Sequence, residues 1–107
     1  MTTVSVYAVF ADAEEAERIG RIVVGERLAA CINIFSPCRS IYRWQERIET
    51  AREVPAILKT NSAQADRLID RIAALHSYDL PCIAVWPVEK LLAGYGEWVE
   101  DVVGPKS

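Results

Sequence analysis

Residues 40–60 read "SIYRWQERIETAREVPAILKT", two strand-forming runs that meet around Gln45 to Arg47. The pattern predicts a long β-hairpin with its turn at that point. Its return arm carries Pro55, which has no N–H to give to a ladder, so this part is expected at a sheet edge or at a bulge. Glu49 and Glu53 read as the solvent side of the hairpin.

Upstream, Leu28–Phe35, "LAACINIF", is a second strand candidate ended by Pro37. Leu28, Ala30, Ile32 and Ile34 share one face, and Ala29, Cys31, Asn33 and Phe35 share the other. Both faces are largely apolar, which predicts a central strand. Before it, Thr3–Phe10 sets Val4, Val6, Ala8 and Phe10 against Ser5, Tyr7 and Val9, again with period two. A helix follows. Asp12 and Glu15 form a capping-box pattern, Ala16, Ile19 and Val23 an apolar stripe, and Gly25 the stop.

Downstream, Asn61 and Gln64 resemble a second capping box, and Ala65, Leu68, Ile69, Ile72 and Leu75 recur at helical spacing. "PCIAVWP", Pro81–Pro87, is a short strand between prolines. From Glu89 a stripe through Leu91, Tyr95, Trp98 and Val102 predicts a terminal helix that Gly94 and Gly96 weaken. The order β, α, β, β, α, β plus a final helix is the ferredoxin-like α+β arrangement, with two helices on one face of an antiparallel sheet. Cys31, Asn33 or their neighbours fall on the other face, beside aromatic residues of the hairpin such as Tyr42 and Trp44. A lone domain exposing such a face and a long hairpin edge is expected to oligomerise.

A chain of 107 residues, half apolar and a quarter charged, suits one globular domain over 1–107. Twelve scattered Lys and Arg against 15 Asp and Glu, a net charge of -3, make nucleic acid an unexpected partner. The apolar run within Glu26–Pro37 is too short to span a membrane. The N-terminal stretch lacks a basic region and a cleavage site, so no export is expected. Three cysteines without a CxxC pair argue for a reducing compartment, and the expected location is the cytoplasm.

Three readings compete for Cys31: nucleophile, metal ligand or small core residue. Nucleophilic attack needs a thiolate and a base, and the single histidine, His76, stands without an oxyanion loop or orienting third group. An unpaired cysteine also serves as a small buried hydrophobe. As metal donors, thiolate and imidazole suit copper or zinc, and Cys31, His76 and Cys82 come from elements expected to be adjacent, so they could converge. The turn "LHSYDLP", Leu75–Pro81, offers His76, Tyr78 and Asp79 as the lining of a small-ligand or metal pocket. It also reads as a dipole-favoured helix-end histidine, a packed tyrosine and a loop aspartate.

Taken together, "ERLAACINI", "SIYRW", the run through Glu49, Glu53, Lys59 and Thr60, "LHSYDLP", and Pro87–Val88 followed by Tyr95 and Trp98 resemble the CutA family, the divalent-cation tolerance proteins. The resemblance implies a ferredoxin-like subunit that forms a homotrimer through its hairpin strands. It further implies a cytoplasmic protein linked to copper tolerance, with no established enzymatic reaction. The family's cysteine falls on Cys31 and its histidine motif on His76, Tyr78 and Pro81; Cys82 is a soft donor next to that motif, and Cys38 lies in a variable loop. Glu46 stands where the family hairpin usually has glycine, and Pro55, Leu91 and Gly96 also depart from its pattern. The expectation is a non-enzymatic trimer that sequesters copper, or another divalent cation such as zinc, through Cys31, His76 and Cys82. The alternatives are a small-molecule-binding signalling trimer, by analogy with the fold of the nitrogen-regulatory P-II proteins, and a ligand-free scaffold.

Overall fold

The computed structural model describes residues 2–105; Met1, Lys106 and Ser107, which the single-domain expectation includes, lie outside them. Five strands and three helices follow in the order β1 (Thr3–Phe10), α1 (Ala13–Gly25), β2 (Cys31–Ile34), β3 (Cys38–Trp44), β4 (Arg47–Asn61), α2 (Ala65–Leu75), β5 (Ile83–Pro87) and α3 (Ala93–Val102). The sheet runs β2-β4-β1-β5, with β3 also paired to β4, and every pairing is antiparallel. This is the expected ferredoxin-like layout with its terminal helix.

The hairpin of β3 and β4 turns at Gln45 and Glu46, which take φ of 50° and 66°. Two successive left-handed residues between directly paired strands make the two-residue turn that matches strand twist. Asparagine and glycine are the usual choices there; this chain uses neither.

Strand β4 is the spine of the sheet. It pairs with β1 along one flank, and with β2 and then β3 along the other. Cys31 to Ile34 face Lys59 to Ala56, whereas Cys38 begins opposite Glu53. Residues 35–37 therefore stand opposite only Val54 and Pro55, a β-bulge with one extra residue. The bulge anticipated at Pro55 falls on the strand facing it. Pro55 accepts a bond from the Phe35 N–H at 3.0 Å, so its missing donor also points at the bulge and costs no bond to β1.

The expectation that Leu28–Phe35 is a central strand is corrected. Only Cys31–Ile34 is strand, and it lies at the sheet's outer edge. A helix lies over part of each face, so Cys31 and Ile32 are half-buried while Asn33 and Ile34 are exposed. Ile32 packs toward α1, where an added Cβ on Gly20 would sit 2.9 Å from its Cγ2, and Cys31 meets Tyr95 of α3.

Helices α1 and α2 cover the sheet face that carries Val6, Ala8, Phe10, Val54, Ala56 and Leu58, and bury Ala16, Ile19, Val23, Leu68 and Ile72 against it. Asp12 Oδ1 caps α1 by accepting from the Glu15 N–H at 2.8 Å. Asn61 Oδ1 accepts from the Gln64 N–H, while the Gln64 side chain makes no cap bond. Helix α1 ends at Gly25, but the left-handed residue after it is Arg27, at φ 64°.

Helix α3 crosses to the opposite face. Gly96 lies beside Thr3, Tyr95 reaches Cys31, and Val99 and Val103 bury against Ala30. Arg27 holds it there, donating to Gly104 O at 2.7 Å and Asp101 O at 3.0 Å, a cation at the negative end of the helix. Gly94 and Gly96 do not interrupt the helix. Because α3 covers one end of this face, the other end stays open.

Candidate functional site

The uncovered end of the face is a cleft of about 500 Å³. Its floor is the outward face of the sheet, from which Tyr7 and Val9 of β1 and Glu53 of β4 project, with Cys82 just before β5. The hairpin contributes Ser40, Tyr42 and Trp44, one face of β3 at alternating positions. The turn after α2 closes the third side with Tyr78, Asp79 and Leu80. Among the described residues, no lysine, arginine or histidine lines it.

His76 sets that turn. Its ring is buried, stacks on Phe10 with centroids 5.4 Å apart, and bonds through Nε2 to Val9 O at 2.8 Å. Nδ1 accepts from the Tyr78 N–H at 3.0 Å, so the two bonds assign the Nε2–H tautomer. Glu15, from the first turn of α1, accepts from the Ser77 N–H at 2.8 Å and the Ala11 N–H at 2.9 Å. Burial pushes the Glu15 carboxyl up, but bonds from Ser77 and Ala11 and the nearby His76 outweigh it and hold the group below the usual range.

Glu53 is only 9% exposed, and its Oε2 accepts from the Tyr78 hydroxyl at 2.8 Å. Burial first, and then this bond and the Glu53 charge, push the Tyr78 phenol up to about 12. Tyr7, stacked on Trp86 at 4.9 Å, is raised by burial and then by Cys82, Cys38 and Glu53.

The convergence of Cys31, His76 and Cys82 expected from sequence does not occur within the chain. Cys31 lies on the outermost strand β2, with β4 and β1 between it and β5. Three inter-strand steps put it at least about 14 Å from the Cys82 side of the sheet. It sits beneath α3, its Sγ 3.4 Å from the Tyr95 hydroxyl, whose pKa burial and this contact push up to about 12. His76 shares Val9 with Cys82 but stacks on Phe10 in the helix-covered layer. Cys82 alone of the three lines the cleft. Among the described residues, no three of His, Cys, Asp and Glu come together as a metal-holding group.

Sequence reasoning passes over one cleft residue, Glu53, which reads as the solvent side of the hairpin. Cys38, read as part of a variable loop, instead starts β3 directly opposite Glu53. The signal was parity: Cys38, Ser40, Tyr42 and Trp44 recur at every second residue and so share a face.

Residues 4–102 match the family model described as CutA1 divalent ion tolerance protein. The chain belongs to this family. It is 39% identical to the divalent-cation tolerance protein CutA of Archaeoglobus fulgidus over 92% of its own length and 95% of that protein. The solved structure of the A. fulgidus protein, named there a periplasmic divalent cation tolerance protein, superposes with a TM-score of 0.93 at 37% identity, covering 96% of this chain and 100% of that one. CutA from Xylella fastidiosa gives a TM-score of 0.94 at 35% identity over 97% and 100% of the two chains. The A. fulgidus relative is named a divalent-cation tolerance protein. No helix among the described residues is long and apolar enough to cross a membrane.

Proposed function

We propose that this CutA-family chain acts by binding, sequestering a soft cation as a homotrimer in the cytoplasm, with copper foremost and zinc its competitor. The observation that carries the reading is the cleft floored by Tyr7, which Cys82 and Glu53 line and, among the described residues, no basic side chain does, with Cys38 directly across the ladder from Glu53. Thiolates select Cu(I), and a site short of positive charge attracts it. Of the donors named from sequence, Cys82 is the one the cleft presents, and Cys38, opposite Glu53 at the start of β3, is the further thiol this reading enlists. Cys31 would bind metal only by giving up its contact with Tyr95, and His76 only by losing a bond that shapes the cleft. Because one chain gathers no three-donor group among the described residues, the trimer supplies the remaining ligands.

The test is a Cu(I) titration of the reduced protein against a competing chelator, with assembly followed by light scattering. Cys82→Ser and Cys38→Ser are expected to weaken binding about tenfold or more, while Cys31→Ser leaves it near wild type. Binding lost in Cys31→Ser alone, with the trimer intact, would move the site beneath α3. Binding indifferent to every cysteine would end the sequestration reading.

A further inference from the structure

Metal binding accounts for thiols and a carboxylate, but not for the rings that surround them. Tyr7, Tyr42, Trp44 and Tyr78 wall a cleft of about 500 Å³, far larger than an ion and within the range of small-molecule sites. Glu53 lines the same cleft. The residue is nine-tenths buried; its carboxylate bonds to the Tyr78 hydroxyl and forms no ion pair with any described residue. A buried carboxylate is costly unless a cation compensates it. Asp79 adds a second acid at the rim.

We infer that the cleft is a binding site for a small organic cation, an alkylammonium or guanidinium compound whose charge sits between the aromatic faces and Glu53. Aromatic rings attract such cations through their quadrupoles while accommodating the apolar groups around the charge. A hydrated metal ion uses none of that surface. The raised Tyr7 and Tyr78 phenols stay un-ionised at neutral pH, so their rings and hydroxyls serve as neutral walls. The inference goes beyond the metal reading and places a different cation class in the same cleft.

The experiment is isothermal titration of the assembled protein with tetramethylammonium, choline and agmatine, and separately with 3,3-dimethylbutan-1-ol, the uncharged carbon analogue of choline. At least one cation is expected to bind, and choline about tenfold more tightly than its neutral analogue. Glu53→Gln, which retains an acceptor for Tyr78, is expected to weaken cation binding about tenfold, and Trp44→Leu to weaken it severalfold. Equal binding of choline and its neutral analogue would make the cleft merely apolar and overturn the inference. So would failure of all three cations to bind, including the case in which a second copy of the chain fills the cleft. The Cu(I) titration is independent: copper binding without organic-cation binding sinks only this inference, and the reverse sinks only sequestration.

Discussion

Glu15 ties three segments with one carboxylate, accepting bonds from Ala11 and Ser77 while lying 3.8 Å from His76. Its folded pKa is depressed, so its contribution is complete above the unfolded value, about 4.3, and is lost as pH falls through the lower folded value. Glu15→Gln places an amide donor against N–H donors and is expected to cost about 1–3 kcal/mol in urea unfolding at pH 7. The difference from wild type should shrink as the buffer is taken to about pH 3. A gap of constant size would assign the loss to packing instead of charge. Gly20 is a second residue whose role is steric. Its helical position favours alanine by about 1 kcal/mol, but the new methyl would lie 2.9 Å from Cγ2 of the stiff, β-branched Ile32. Gly20→Ala is expected to lower stability, and removal of the Ile32 branch by Ile32→Ala to cost less in that background than in wild type. A coupling of about 1 kcal/mol in the double-mutant cycle would establish the contact.

At the scale of elements, the hairpin turn has the shape that Asn-Gly prefers, occupied by Gln45 and Glu46. Left-handed backbone costs an ordinary residue about 1–2 kcal/mol, so the pair Gln45→Asn and Glu46→Gly is expected to raise the denaturation midpoint by the equivalent of about 1 kcal/mol. No change would mean that the turn relaxes to another geometry. The helices and β1 were legible in sequence because each carries an unbroken period, as in Val4, Val6, Ala8 and Phe10 or in Ala16, Ile19 and Val23. The rank of β2 was not. An apolar strand at a sheet edge, partly covered by a helix on each face, reads the same as one flanked by two strands, and only tertiary packing separates them. Likewise, the turn "LHSYDLP" announced a pocket, but no local pattern says that both ring nitrogens of His76 are spent on Val9 and Tyr78. Glu53 was hidden because an acid at every fourth position of a hairpin resembles a solvated face until the α2 turn folds over it.

For the whole molecule, exposure ranks the three thiols. Cys82 is exposed, whereas Cys31 and Cys38 are half-buried. Brief alkylation with iodoacetamide, read by mass spectrometry, is expected to modify Cys82 first. If Cys82 reacted last, a second copy of the chain would have to lie over the cleft in solution. The cleft joins hairpin to body, since Ser40, Tyr42 and Trp44 come from β3 and Tyr7 and Val9 from β1.

Fully extended, 15 residues span about 50 Å, and β4 accordingly runs the 47 Å length of the molecule. Its pairing with β1 stops at Val54, so Arg47–Glu53 has β3 on one flank and, among the described residues, no paired strand on the other. Backbone groups alternate along a strand, and Pro55 fixes the phase: its carbonyl faces the bulge, hence the amides of Glu49, Ala51 and Glu53 face β3 and those of Ile48, Thr50 and Arg52 face outward. In a single protomer, deuterium should enter the second set quickly and the first slowly, a zigzag of exchange rates along one strand. Association that adds a strand there would flatten the zigzag, and association through side chains alone would leave it intact. The protruding ribbon is thus a built-in recorder of how its edge is used, legible without any label attached to the protein.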